Sequence, residues 1–97
     1  MPAIGDNRNV WNSCLRILRK NEYRLWLESD DSNADMSDCF WCAEKNGYDF
    51  YASNPIELLG LVAIYEYKAP KKSPVPYWWK VGGDDIIDEL AAKKWPD

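Results

Sequence analysis

The pattern of apolar and polar positions changes period along the chain, and each change marks an element. Between Asn7 and Lys20 the apolar residues Val10, Trp11, Cys14, Leu15, Ile17 and Leu18 recur at helical spacing, with Arg8, Arg16, Arg19 and Lys20 on the remaining surface. This predicts an amphipathic helix capped by Asp6 or Asn7. From Tyr23 to Glu28 the period becomes two, with Tyr23, Leu25 and Leu27 on one face and Arg24, Trp26 and Glu28 on the other, which predicts a strand.

Asn46-Gly47 separates two aromatic-rich runs, and a two-residue type I′ turn needs positive φ at both central positions, which Asn and Gly tolerate best. The turn fixes a register in which Lys45 faces Tyr48, Glu44 faces Asp49, Ala43 faces Phe50, Cys42 faces Tyr51 and Trp41 faces Ala52. Trp41, Ala43, Tyr48, Phe50 and Ala52 then share the face expected to enter the core. Phe40, Cys42, Glu44, Asp49 and Tyr51 form a mixed face expected to be partly solvated.

Asn54-Pro55-Ile56-Glu57 starts a helix in three respects: a capping residue, a proline where its missing N–H costs nothing, and a glutamate at the third helical position. A strand through Val62, Ile64 and Tyr65 competes with this assignment but is at odds with the start signal. Nearly every position from Ile56 to Tyr67 is apolar, so the helix is expected to be covered on more than one side, with a close neighbour at Gly60. It is too short for a membrane span, which needs ~20 apolar residues.

The remainder is loop and a last helix. Residues 1–6 read as a short disordered lead-in. Residues 30–38 are an acidic loop with Asp30, Asp31, Asp35 and Asp38, and residues 68–76 are a loop rich in proline and lysine. Tyr77-Trp78-Trp79-Lys80-Val81 is a short strand candidate ended by Gly82-Gly83, and Asp84 or Asp85 caps a closing helix through Ile86, Ile87, Leu90 and Ala91. The order is α-β-β-β-α-(β)-α: an α+β fold with a small antiparallel sheet of three or four strands packed against helices. Its 97 residues make one domain, large enough for a core without metal or disulfide support.

Composition narrows the chemistry. The formal net charge is −4 and there is no histidine, which removes the commonest general base and metal ligand and forbids a Ser–His or Cys–His nucleophile pair. No signal-peptide pattern and no apolar run of membrane length occur, so a cytosolic protein away from membranes is expected. Three cysteines, an odd number, fit free thiols better than a disulfide framework. Cys39-Phe40-Trp41-Cys42 has C-x-x-C spacing, but on a strand residues three apart point to opposite faces, and zinc would need two further ligands.

Asp31-Ser32-Asn33-Ala34-Asp35 opens like a calcium loop, then fails at Met36 and Cys42, where glycine and glutamate belong. Glu44 and Asp49 oppose each other across the hairpin without the apolar surroundings that would split their acidities. No catalytic residue, metal or cofactor is expected.

Binding is the remaining expectation. Lys71, Lys72, Tyr77, Trp78, Trp79 and Lys80 mix cations with aromatics, yet the acidic balance disfavours nucleic acid. Trp26 and one of Trp78 and Trp79 are expected at the surface beside acids, and large aromatics with an acidic rim suit recognition of a basic protein. The expected binding residues are Trp26, Asp30, Asp31, Asp35, Asp38, Tyr77, Trp78 and Trp79. Size and charge, without any matched motif, are those of a small acidic inhibitor of a basic toxin, in the manner of bacterial immunity proteins. The alternative is a regulatory domain that takes a small molecule or nucleotide in an aromatic pocket between the sheet and Tyr77–Trp79.

Overall fold

The computed structural model describes residues 2–29, 39–70 and 75–94. Among them the order is α1 (Arg8–Lys20), β1 (Arg24–Glu28), β2 (Phe40–Lys45), β3 (Tyr48–Ala52), α2 (Pro55–Lys68) and α3 (Ile86–Lys94), a small α+β fold. The sheet is antiparallel in the order β1-β2-β3.

The local signals act as the sequence predicts. Asn46 and Gly47 have φ of 56° and 85°, and the hairpin takes the register that this turn dictates. Asn7 caps α1, its side-chain oxygen accepting from Val10 N at 3.1 Å. Asn54 does the same for Glu57 N at 2.9 Å, while the Glu57 carboxylate accepts from Ser53 N at 3.3 Å. Asp85, rather than Asp84, provides the oxygen for Asp88 N at the start of α3.

Helices α1 and α2 lie on one face of the sheet and pack against each other. Between the layers sit Leu18, Tyr23, Trp41, Ala43, Phe50, Ala52, Leu58 and Val62, which includes four of the five hairpin residues expected there; Tyr48 is half-buried. The opposite face has no helix over it among the described residues. Phe40 and Tyr51 are exposed on it, their rings in edge contact at 5.9 Å. Cys42, on the central strand of that same face, is only 3% exposed. Its strand partners are Trp26 and Tyr51, whose larger side chains flank the thiol.

Three expectations give way. Residues 76–79 form a turn, not a strand: Tyr77 has φ of 60°, which breaks an extended run, and Lys80 N–H bonds back to Tyr77 O at 3.0 Å. Helix α2 buries only Pro55, Leu58 and Val62 and leaves Leu61 and Tyr67 exposed, because α1 and the sheet flank it and no third layer covers its far side among the described residues. A Cβ at Gly60 would meet nothing within 4 Å, so no element approaches there. Among the described residues α3 packs on no other element, and Ile87 of its apolar stripe is 81% exposed.

Open space at an exposed helical glycine makes a direct test. Gly60→Ala should raise the unfolding free energy by about 1 kcal/mol through helix propensity and a less flexible unfolded chain. A urea melt checks it, and a loss of stability would contradict the open surroundings of Gly60.

Candidate functional site

The best-formed aromatic surface lies where β3, α2 and the 76–79 turn meet. Ring contacts run outward from the core: Tyr23 to Phe50 (6.2 Å), Phe50 to Tyr65 (5.3 Å), Tyr65 to Tyr48 (4.9 Å) and Tyr48 to Trp78 (5.2 Å). Trp78 is half-buried against Tyr48 and Tyr65 and so anchors the turn. The Lys68 ammonium donates to Lys80 O at 3.2 Å and fixes the turn to the end of α2. Trp79 points the other way, 51% exposed and edge-on to Tyr77, itself 71% exposed. The tryptophans thus divide between inside and outside as expected, on a turn instead of a strand.

A groove of about 250 Å³ results, lined by Asp49, Phe50, Tyr51, Leu61, Ile64, Trp78 and Trp79. Of these residues only the two tryptophans belong to the expected binding set. Asp49 and Tyr51 fall on the hairpin face read as partly solvated, and that exposure was the available signal. Leu61 and Ile64 gave none, because a uniformly apolar helix does not reveal which side stays open.

Trp26 sits elsewhere. It lies on β1, at the opposite side of the sheet from β3, and its own strand occupies it: the Arg24 guanidinium stands 4.3 Å from the ring centroid, and Nε1 donates a long 3.4 Å bond to Glu28. It borders a different hollow, shared with Arg16 and Arg19. Trp26 and Trp79 therefore do not line one groove. Asp30, Asp31, Asp35 and Asp38 lie outside the described residues, as do the calcium-like stretch and Lys71 and Lys72.

Two adjoining hollows beneath α1, of about 380 and 400 Å³, share Asn12, Leu15, Leu27 and Trp41. Trp11 meets Trp41 edge-on at 5.6 Å there, and the Trp11 indole N–H donates to Asp6. The Trp41 indole N–H is buried with no acceptor among the described residues, a cost of roughly 1–3 kcal/mol for such a group. Across the core, the Tyr23 hydroxyl donates to Glu66 at 3.0 Å. Burial, followed by the Glu66 hydrogen bond and charge, raises the Tyr23 pKa above its ordinary value.

None of the three cysteines is in a disulfide; Cys14 and Cys42 are buried and Cys39 is half-buried. Burial, then the neighbouring Glu28 carboxylate, pushes the Cys42 thiol from an ordinary 9.0 up to about 11. No group of three or more His, Cys, Asp or Glu residues able to hold a metal ion occurs among the described residues. Nor is any helix among them long and apolar enough to cross a membrane.

The raised thiol makes stability depend on alkaline pH in a definite direction. Between 9.0 and about 11 the unfolded thiol has released its proton while the folded one retains it. The Cys42 contribution is therefore complete below that window and is lost as pH rises through it, a loss that Cys42→Ala should remove from the pH profile. Iodoacetamide at pH 8 should accordingly label Cys39 before Cys42 and Cys14. Equal rates for all three would contradict their burial.

Fold and surface together define a two-layer α+β domain with an aromatic groove at one edge of its sheet. Compared with protein-family models, curated proteins and solved structures, the chain has no match.

Proposed function

We propose that the protein is a non-enzymatic binding module that recognises another protein of basic character, as a small acidic inhibitor of immunity type would. The observation that carries this reading is the exposed aromatic surface around the groove: Trp79, Tyr77 and Tyr51 stand in solvent around a firmly anchored Trp78. Large aromatics are the residues that dominate protein interfaces, and a chain of net charge −4 accelerates encounter with a positive partner. The cytoplasm is the proposed location.

The test is affinity capture from the cells that carry the gene, with the immobilised chain as bait. A basic protein held at low salt, released at high salt and reconstituted from pure components as a defined complex is the expected result. Failure of any basic protein to form such a complex would remove the proposal.

A second reading, a small-molecule receptor, is favoured by one observation: the orphaned Trp41 indole N–H beside the hollows under α1. Cavities of that size fall within the range of roughly 300–1,000 Å³ used for small ligands, whereas the Trp78–Trp79 groove is smaller. A saturable change in tryptophan emission against a metabolite panel would favour this reading, and silence would leave protein binding alone.

A further inference from the structure

Strand β3 is the outer strand of the sheet, and no strand pairs with its free side among the described residues. In a two-residue hairpin the pairs Lys45–Tyr48, Ala43–Phe50 and Trp41–Ala52 exchange the ladder hydrogen bonds. The main-chain N–H and C=O groups of Asp49 and Tyr51 therefore point away from β2, and no described main-chain group bonds to them. The next outward N–H, that of Ser53, is already taken by Glu57. Edge strands are ordinarily blunted by lysine, proline or a bulge. The register of β3 is continuous, and Asp49 is its one charged residue. Along this edge runs the groove whose far wall is Leu61 and Ile64 of α2 and whose end is closed by Trp78 and Trp79.

We propose that this edge takes an extended segment of the basic partner as a fourth strand. The inference rests on the protein-binding reading and specifies how binding would occur. Free main-chain donors and acceptors at alternate residues match an extended backbone and no other ligand so well. Successive residues of the added strand face opposite sides of the sheet. A basic residue would lie beside Asp49 on the open face, and the apolar residue next to it would enter the groove against Leu61 and Ile64. Charge selects such a segment over a second copy of this chain, because edge-to-edge pairing of two copies would bring together two chains of net charge −4.

The experiment pans a displayed library of random heptapeptides against the full chain and follows amide hydrogen exchange at Asp49 and Tyr51 with the selected peptide bound. The expected result is enrichment of adjacent apolar and basic residues, with exchange at both amides slowed at least tenfold. Tyr51→Pro, which deletes an outward N–H and no ladder bond, should weaken binding at least tenfold with the circular dichroism spectrum retained. Asp49→Lys should do the same by charge, whatever the fate of the proline variant. Absence of enrichment, selected peptides that leave both amides unprotected, or protection of those amides in a dimer of the free chain would each overturn the proposal. If the partner from affinity capture binds while both amides exchange freely, strand addition fails and protein binding stands. If the peptide protects them and no basic protein is captured, the reverse holds.

Discussion

Leu58→Ala should destabilise the protein by about 3 kcal/mol, the sum of lost burial of three carbons at ~0.8 kcal/mol each and a cavity that only partly collapses. Leu58 has no exposed surface and belongs to the cluster that joins α1, α2 and the sheet. A domain of this size is stable by roughly 5–15 kcal/mol, so the loss is a large fraction of the total and should lower the melting temperature by on the order of 15 °C. The control is Leu61→Ala, three residues along the same helix on its exposed side, which should cost less than about 1 kcal/mol. Equal losses for the two variants would mean that α2 does not present one side to the core.

Trp79→Ala should leave the melting curve almost unchanged and raise the dissociation constant for the partner about 30-fold, equivalent to ~2 kcal/mol. The separation follows from geometry. The Trp79 ring touches Tyr77, itself in solvent, and takes no part in the ring contacts that link Trp78 to Tyr48 and Tyr65. Truncating it removes binding surface without opening the core. Titration calorimetry with the captured partner measures the effect, and a dissociation constant within twofold of wild type would place the interface elsewhere.

Much of the fold was legible because its instructions are local. Asn46-Gly47 sets a turn and hence a register, and Asn54-Pro55-Ile56-Glu57 sets a helix start; neither depends on distant residues. What the sequence did not reveal depends on neighbours. The apolar run of α2 says that it is buried somewhere, not that the side bearing Leu61 lies open. The stripe Ile86, Ile87 and Leu90 promises packing that no described element provides. Tyr77-Trp78-Trp79 has the composition of a strand, but the left-handed Tyr77 turns it back on Tyr48 and Tyr65.

The candidate site divides in the same way. Trp78 and Trp79 could be named from sequence because large aromatics are either packed or left as exposed surface, and here Trp78 packs while Trp79 stands exposed. Trp26 looked similar, yet Arg24 and Glu28, two residues to either side on the same face of β1, already engage its ring. Asp49 and Tyr51 became candidates only when the sheet order placed β3 at an edge beside an open helix.

The central claim, that an acidic chain draws in a basic protein, is most directly tested by the association rate of the captured partner at low ionic strength. Replacing Asp30, Asp31, Asp35 and Asp38 by asparagine takes the formal net charge from −4 to zero. The association rate constant should then fall about tenfold at low salt, and most of its dependence on ionic strength should disappear. A rate constant that is unchanged at low salt would contradict the claim.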